Sequence, residues 1–319
     1  MIALLARRVA WGLVVIWMVA SLVFLTYFAV PRDVARLLAG RQASEQTVAA
    51  VRVRLGLDQP LPVQYGRFLW RVARGDLGES FVSQEPVTAV IARDLPVTVS
   101  LAAGAAVLWL LLGVGAGVAA ASRPRSRLDR GIGLITVFFY SMPPFLVGQL
   151  LLYVGFFELH RAGFEFFPPG SYVPFSESPL QWARFLALPW LALALVTGAA
   201  YVRLTRGAML DALGEDYVRT ARAKGLGEGR VLIHHALRAS LAPVITQFGI
   251  DLGTLLGGGI VTEVVFGLPG LGREVVQAVV KQDLPVIIGI TIVAAAMVVL
   301  ASLVVDLLHA VIDPRVLGR

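Results

Sequence analysis

The sequence predicts an all-α integral membrane protein with six transmembrane helices, on the grounds of its composition and the spacing of its charges. Of the 319 residues, 57% are apolar and 15% are charged, and the mean hydropathy is +0.76. A soluble domain usually has about 25% charged residues, so this chain has too little polar surface to cover a water-soluble body. The predicted solvent is therefore the bilayer.

Long stretches without charge define the predicted spans, because a helix needs roughly 20 apolar residues to cross a hydrocarbon core of about 30 Å. The first span, with the N-terminus, is assigned to residues 1–31. Its start resembles the charged region of a cleaved signal, but the uncharged run is too long and no A-x-A site follows, so we predict a retained helix. Within a core of residues 95–310, the further spans are 95–122, 131–157, 185–202, 241–262 and 284–308. Pro143 and Pro144 predict a kink in the third span.

The distribution of arginine and lysine predicts that both termini are cytoplasmic. Four arginines separate spans two and three, and seven basic residues lie within 203–238, whereas 157–184 and 263–283 carry two each. Residues 32–94 exceed the length at which charge governs translocation and are assigned to the outside, where their apolar spacing predicts short amphipathic helices. Residues 309–319 form the predicted cytoplasmic C-terminus.

Several classes of function are excluded. The chain has no cysteine, which removes disulfides, thiol catalysis and Cys-ligated metals. Neither lysine lies in a P-loop pattern, no G-x-S-x-G serine is present, and the adjacent His234 and His235 point to different sides of a helix, unlike a zinc pair at i, i+4. We therefore predict no catalytic residue, metal or cofactor in this chain. The basic residues lie at span ends and do not form one broad face, which argues against a nucleic-acid partner.

The connection between spans four and five, assigned to residues 203–240, is too long for a membrane hairpin. Its stretch DYVRTARAKG begins with Asp216 and ends at Gly225, which predicts a helix whose charges suit its dipole and which stops at glycine. A second short helix is predicted from Glu228, and Pro243 is taken as the start of span five. Two interpretations are open: a basic surface helix lying on anionic lipid, or a docking element for a cytoplasmic partner.

Here the sequence resembles the membrane permease subunits of bacterial ATP-binding-cassette (ABC) importers, in particular the oligopeptide, dipeptide and nickel group. These share a loop motif E-A-A-x-x-x-G, followed nine residues later by I-x-L-P. The stretch RTARAKG keeps Ala221 and Gly225 but has Arg219 and Thr220 in place of Glu and the first Ala, and HALR keeps only Leu237. These departures are typical of the peptide branch. The resemblance continues in LGLDQPLPVQYGRFL, GDLGES, LPVTVSLA, VFGLPGLG and VDLLHAVIDPR, and so covers nearly the whole chain.

The resemblance implies a type I (MetI-like) importer permease fold in a bacterial inner membrane, with a helical extracytoplasmic insert after the first span. Such a subunit pairs with a second, homologous permease, binds two cytoplasmic subunits that hold ATP and magnesium, and receives its ligand from an external binding protein. Peptides are the cargo expected for this branch, with nickel chelates and glutathione as alternatives. The residues expected to contact an ATPase subunit are Asp216, Arg219, Ala221, Arg222, Lys224, Gly225, Leu226, Glu228 and Arg230.

One acid, Asp251, falls inside a predicted span, where a charge costs at least about 2.5 kcal/mol. It is either a pathway or gate residue, together with Gly257 and Gly258, or a buried acid hydrogen-bonded to a neighbouring span or to the partner permease. A secondary transporter that uses Asp251 as its ion site is the alternative from another class, although the sequence shows no internal duplication. A membrane-anchored scaffold without transport is disfavoured by this acid.

Overall fold

The structure, a computed structural model, describes residues 2–26, 36, 44–54, 58–168, 170–257 and 259–312. The described residues are almost entirely helical and contain no β-strand, only an isolated bridge between Glu79 and Pro86. In chain order the helices are α1 (Ile2–Phe24), α2 (Glu45–Arg54), α3 (Leu61–Ala73), α4 (Val87–Ser122), α5 (Arg127–Ser141), α6 (Pro144–Arg161), α7 (Pro179–Gly214), α8 (Asp216–Ala223), α9 (Glu228–Leu256), α10 (Ile260–Val265), α11 (Leu271–Lys281) and α12 (Leu284–Ile312).

The helices α1, α4, α7, α9 and α12 are long and apolar enough to cross a membrane, and α5 and α6 together make a sixth candidate span. The all-α fold with six predicted spans is therefore confirmed for the described part of the chain. Two of these helices contain a wide π-helical turn, Leu152–Glu158 in α6 and Val231–Leu237 in α9.

The third predicted span differs most from its expectation of a single helix with a proline kink. Helices α5 and α6 meet at an angle of 104°. Met142, at the C-terminal end of α5, is extended with ψ 137°, and Pro143 precedes α6 in the same conformation. A residue before proline is disfavoured in the helical region, and two successive prolines remove two backbone donors, so the helix ends and restarts here.

The fourth and fifth predicted spans also have different bounds. Helix α7 has 36 residues and is about 54 Å long, so it extends well beyond residues 185–202 at both ends. Pro243 does not begin a helix: α9 runs through it from Glu228 and ends at Leu256. The predicted second short helix is thus the first part of α9, because a membrane helix tolerates an internal proline when its freed carbonyl finds another partner.

The chain divides into two compact units. The first consists of Ile2–Asp94 and Glu274–Val299, and its core joins Ala20 of α1 and Ile288 of α12 to partly buried Phe68 of α3. In the same unit the buried carboxylate of Asp283 accepts hydrogen bonds from Ser80 Oγ and from the backbone N–H groups of Phe81 and Val82.

The second unit consists of Leu95–Arg273 and the residues from Leu300 onward, and it carries the candidate site. Its helices α4 and α7 approach closely because α4 has glycine at the contact. A Cβ at Gly113 would lie 2.5 Å from Tyr201 Cβ, and a Cβ at Gly117 would lie 2.6 Å from Thr205 Cβ. Small residues of this kind allow helix backbones to pack tightly inside a membrane.

Candidate functional site

The polar connection predicted from the sequence forms a compact pair of helices, made of α8 and the first part of α9 over residues 216–237; we call it the helix pair. Val218 and Ala221 of α8 pack on Val231 of α9, and all three are buried. Leu213, at the end of α7, and Leu226, in the turn, cover this small core. Val218, Ala221 and Val231 therefore face the protein, whereas the charged residues of the helix pair are exposed together with Tyr217 and Ile233.

The turn between the two helices depends on Gly225, which ends α8 as predicted. Its φ is +76°, a left-handed conformation that residues with a Cβ adopt only at a cost. The Gly225 N–H donates to the Arg222 carbonyl at 2.9 Å, and the Leu226 N–H donates to the Ala221 carbonyl at 3.3 Å. Apart from its two chain neighbours, no atom of the described residues lies within 4 Å of the position that a Cβ would occupy at Gly225, so the requirement for glycine comes from the backbone conformation.

An exposed ion pair closes the same turn. Arg222 donates from Nη2 to Glu228 Oε1 at 2.6 Å and from Nε to Oε2 at 3.1 Å. This hydrogen bonding raises the pKa of the Arg222 guanidinium above its ordinary value. On α8, Arg219 Nη1 donates to Asp216 Oδ1 at 3.3 Å.

The structure separates the predicted contact residues into two groups. Ala221 is buried and Leu226 partly buried, and both belong to the packing inside the helix pair. The others form an exposed surface, which we call the charged rim: Asp216, Arg219, Arg222, Lys224, Gly225, Glu228 and Arg230.

Two further contacts near the helix pair were not predicted from the sequence. Ala236 of α9 packs on Met209 of α7 in a buried cluster. About one turn earlier on α7, Arg206 binds the Asp129 carboxylate of α5 through two guanidinium nitrogens, Nε to Oδ1 at 2.6 Å and Nη2 to Oδ2 at 2.8 Å. The Arg125 N–H donates to the same carboxylate at 2.9 Å. Asp129 was inconspicuous in the sequence because it stands among four arginines and its partner is 77 residues away.

The acid inside span five, Asp251, accepts two hydrogen bonds from uncharged donors. Tyr201 of α7 donates from Oη to Oδ2 at 2.9 Å, and Gln247, one turn earlier on α9, donates from Nε2 to Oδ1 at 3.1 Å. Tyr201 is fully buried, whereas Asp251 is only partly buried. Gly257 is exposed just beyond the end of α9, and Gly258 lies outside the described residues.

A second acid, Glu263 of α10, was counted in the sequence only as a charge at the end of a span, but it is fully buried. Thr98 of α4 donates from Oγ1 to Glu263 Oε1 at 2.7 Å, and the Arg273 N–H donates to Oε2 at 2.9 Å. The Leu271 N–H in turn donates to Thr98 Oγ1 at 2.9 Å. The carboxylate thus fixes the connection between α10 and α11 to the start of span two.

Glycine makes room for this carboxylate. A Cβ at Gly270 would lie 2.4 to 2.6 Å from the three carboxyl atoms of Glu263. The sequence signal that could have revealed the arrangement is an acid at the end of an apolar run, followed by the turn FGLPGLG.

Within the described ranges, no group of three or more His, Asp and Glu side chains is placed to hold a metal ion.

Comparisons with known proteins match almost the entire chain. Residues 113–318 match the family described as the binding-protein-dependent transport system inner membrane component, and residues 1–102 match the N-terminal part of such membrane components. A Brucella abortus (strain 2308) protein named as a peptide transport system permease is 42% identical over 316 residues, which is 99% of each chain. A Sinorhizobium fredii protein named as a peptide ABC transporter permease is 37% identical over 97% of each chain, and a Salmonella typhi protein named as a glutathione transport system permease is 39% identical over 93% of each.

Proposed function

Because the chain belongs to the family of binding-protein-dependent transport system inner membrane components, we propose that it is the membrane permease subunit of an ATP-driven ABC importer of peptides. The match to relatives named as peptide permeases over at least 97% of both chains carries this proposal. In this proposal the permease works by alternating access. ATP is hydrolysed by other subunits, since the sequence has no P-loop.

A permease of this family works with ATPase subunits and an external binding protein. The finer assembly that we propose is one copy of this chain, one homologous permease as its heterodimer partner, and two cytoplasmic ATP-binding subunits. ATP and magnesium are bound by those subunits. The chain itself lies in the bacterial inner membrane with both termini cytoplasmic, an orientation supported by the excess of basic residues at 123–130 and 203–238.

In this assembly the helix pair is the element that receives motion from an ATPase subunit. Its charged rim is exposed in the described part of the chain, and the ion pairs Arg219–Asp216 and Arg222–Glu228 lie within the rim, so a partner can approach its polar atoms. Its buried side is packed on residues of α7 and α9. A force applied to the rim is therefore transmitted directly to two spans.

The experiment is uptake of a labelled peptide by proteoliposomes that contain the complete complex. We expect uptake with ATP and the binding protein, none with ADP, and no loss when a protonophore collapses the proton gradient. Uptake that persists without the ATPase subunits, or that follows the proton gradient, would contradict the proposal and favour the ion-coupled carrier.

Glutathione is the second candidate cargo, because a 39% identical relative is named as a glutathione permease. Competition tests this cargo: an excess of unlabelled glutathione lowers uptake of labelled peptide only if the complex binds both. Uptake of nickel into the same vesicles tests the remaining alternative cargo.

A further inference from the structure

The carboxylate of Asp251 has hydrogen-bonding capacity left over. An ionised carboxylate has about four lone-pair positions, and Tyr201 and Gln247 occupy one each. Both donors are neutral, and none of the ion pairs in the described residues involves Asp251. The charge therefore has two fixed donors but no counter-ion within the described chain.

The location makes this incomplete pairing costly. Asp251 is in a candidate span, where an acid is expensive unless it faces protein, water or a cation. Its side chain is partly exposed, in contrast to Glu263, which is sealed inside the protein with its donors. The side chain of Asp251 is thus not closed off by the described residues.

An apolar groove lies on α9 about one turn before Asp251. Helices α4 and α9 border a groove of about 400 Å³, lined only by apolar residues that include Val114, Val244 and Phe248. Val244, Phe248 and Asp251 follow one another at i, i+4 and i+7, so they share one face of α9. The groove accommodates an apolar group, and the acid, one turn beyond its lining residue Phe248, accommodates a cation.

We propose that Asp251, held by Tyr201 and Gln247, binds the cationic group of the cargo, an ammonium or a guanidinium, as the cargo passes along this groove. The proposal rests on the proposed function, because peptides bring such groups. An α-amino group has a pKa of about 7.7–8.0 and basic side chains have higher values, so both are charged at neutral pH. Hydrogen bonds between ionised partners are roughly twice as strong as neutral ones, which offsets the loss of water around both groups.

The first test is uptake of two peptides with free N-termini, one with neutral side chains and one with a lysine, each at a concentration that saturates the binding protein. Asp251→Asn keeps the shape of the side chain and its bond to Tyr201 but removes the charge. We expect Asp251→Asn to lower uptake about tenfold and Asp251→Glu to recover at least half of it. An equal loss for both peptides identifies the N-terminal ammonium as the ligand, and a loss for the lysine peptide alone identifies the side chain.

The second test uses the absence of cysteine from the chain. Asp251→Cys introduces the only thiol of this subunit, and its reaction with a cationic methanethiosulfonate reagent is followed in the complete complex. We expect the reaction to be faster than with an anionic reagent of similar size and to be slowed by peptide and binding protein. Ile250→Cys is the matched control, because this neighbour is 59% exposed on another face of α9. Peptide should not slow its reaction, and the same complex without an introduced thiol gives the background.

The outcomes are separable from those of the uptake experiment above. If wild-type uptake depends on ATP but Asp251→Asn stays within twofold of it, the proposed function stands and the cation site is wrong. The site is also wrong if the introduced thiol is unreactive, or if its reaction is unaffected by peptide. If Asp251→Asn prevents assembly with the second permease, the counter-ion of Asp251 is a residue of that partner and the cargo site is overturned.

Discussion

The connection between α10 and α11 and the helix pair both join helices, yet they are stabilised by opposite means. The connection is held from inside by the buried carboxylate of Glu263, whose donors come from Thr98 and Arg273. The helix pair has a small apolar core inside, and its ion pair, Arg222 with Glu228, lies outside. A buried carboxylate with fixed donors permits one arrangement only, whereas an exposed ion pair costs little to exchange for another partner. The connection between α10 and α11 is therefore fixed in place, whereas the helix pair presents charged groups that a partner can bind.

The largest expected effect comes from removing the internal acid. Glu263→Ala leaves the Thr98 hydroxyl and the Arg273 N–H without their acceptor and leaves a cavity beside Gly270, so we expect the free energy of unfolding to fall by at least about 3 kcal/mol. The measurement is thermal unfolding of the purified complex. Glu177→Ala, at an exposed acid, serves as the control and should be neutral. Equal stability of the two variants would show that the buried carboxylate does not fix the connection.

Gly225→Val tests the turn of the helix pair. Valine at φ +76° costs roughly 1–2 kcal/mol, which the turn relieves by changing shape, so we expect peptide uptake per ATP hydrolysed to fall about 5- to 30-fold while membrane insertion is unchanged. Gly225→Asn tolerates the left-handed conformation and should retain most of the coupling. Gly227→Val is a second control, since Gly227 has φ −62° and open space around it. Normal coupling in Gly225→Val would count against the docking role.

Arg222→Glu tests the exposed ion pair and should have a smaller effect. The substitution places two acids side by side in the turn, and because exposed pairs contribute about 0.2–1 kcal/mol we expect a roughly two- to fivefold loss of coupling and normal insertion. The charge swap Arg222→Glu/Glu228→Arg restores coupling if the pair only shapes the turn. If the swap stays impaired, the ATPase subunit binds Arg222 itself. Full coupling in the single variant would contradict both roles.

The smallest effect concerns an exposed ion pair of the first unit. The Arg71 guanidinium donates to Asp76 at 2.8 and 3.3 Å and, together with the Gly78 N–H, holds the pKa of this carboxyl below its ordinary value. The stabilisation is present above the unfolded pKa of about 3.9 and is lost as the pH falls through the lower folded value. We expect Asp76→Asn to be slightly less stable than wild type at pH 7, with the difference closing below about pH 4.

The measurement for this pair is the thermal midpoint as a function of pH, with Asp58→Asn at an exposed acid as the control. A difference between Asp76→Asn and wild type that is constant from pH 7 to pH 3 would show that the charge of Asp76 does not contribute.

Sequence alone was sufficient for features that depend on neighbours along the chain. Uncharged runs predicted the spans, and Gly225 predicted the end of α8 because its backbone requirement is local. The prolines at 143 and 144 predicted a distortion, but not an angle of 104°, since the packing of each helix sets the angle. The end of span four was missed because α7 continues past Arg203 and Arg206, whose charges are accommodated at the aromatic ring of Tyr140 and by Asp129.

Hydrogen-bond partners that are far apart in the sequence could not be predicted from it. Asp251 stood out as a charge in an apolar run, but Tyr201 lies 50 residues earlier on another helix. Thr98 lies 165 residues from Glu263, and nothing in the sequence near either residue indicates the other. The structure also shows that Ala221 is buried and Leu226 partly buried, whereas the charged rim is exposed. The loop motif in the sequence does not distinguish these two groups.

The π-helical turn Val231–Leu237 divides α9 into two α-helical parts, and the number of residues in this turn determines how the two parts are rotated relative to each other. A π turn holds one residue more than an α turn, and each residue of an α-helix advances by about 100° and 1.5 Å. If this turn tightened by one residue, Glu228 and Arg230 of the charged rim would rotate by on the order of 100° relative to Asp251 beyond it. Since Glu228 and Arg230 of the rim are on the same helix as Asp251, the number of residues in this turn sets the direction in which they face relative to the acid.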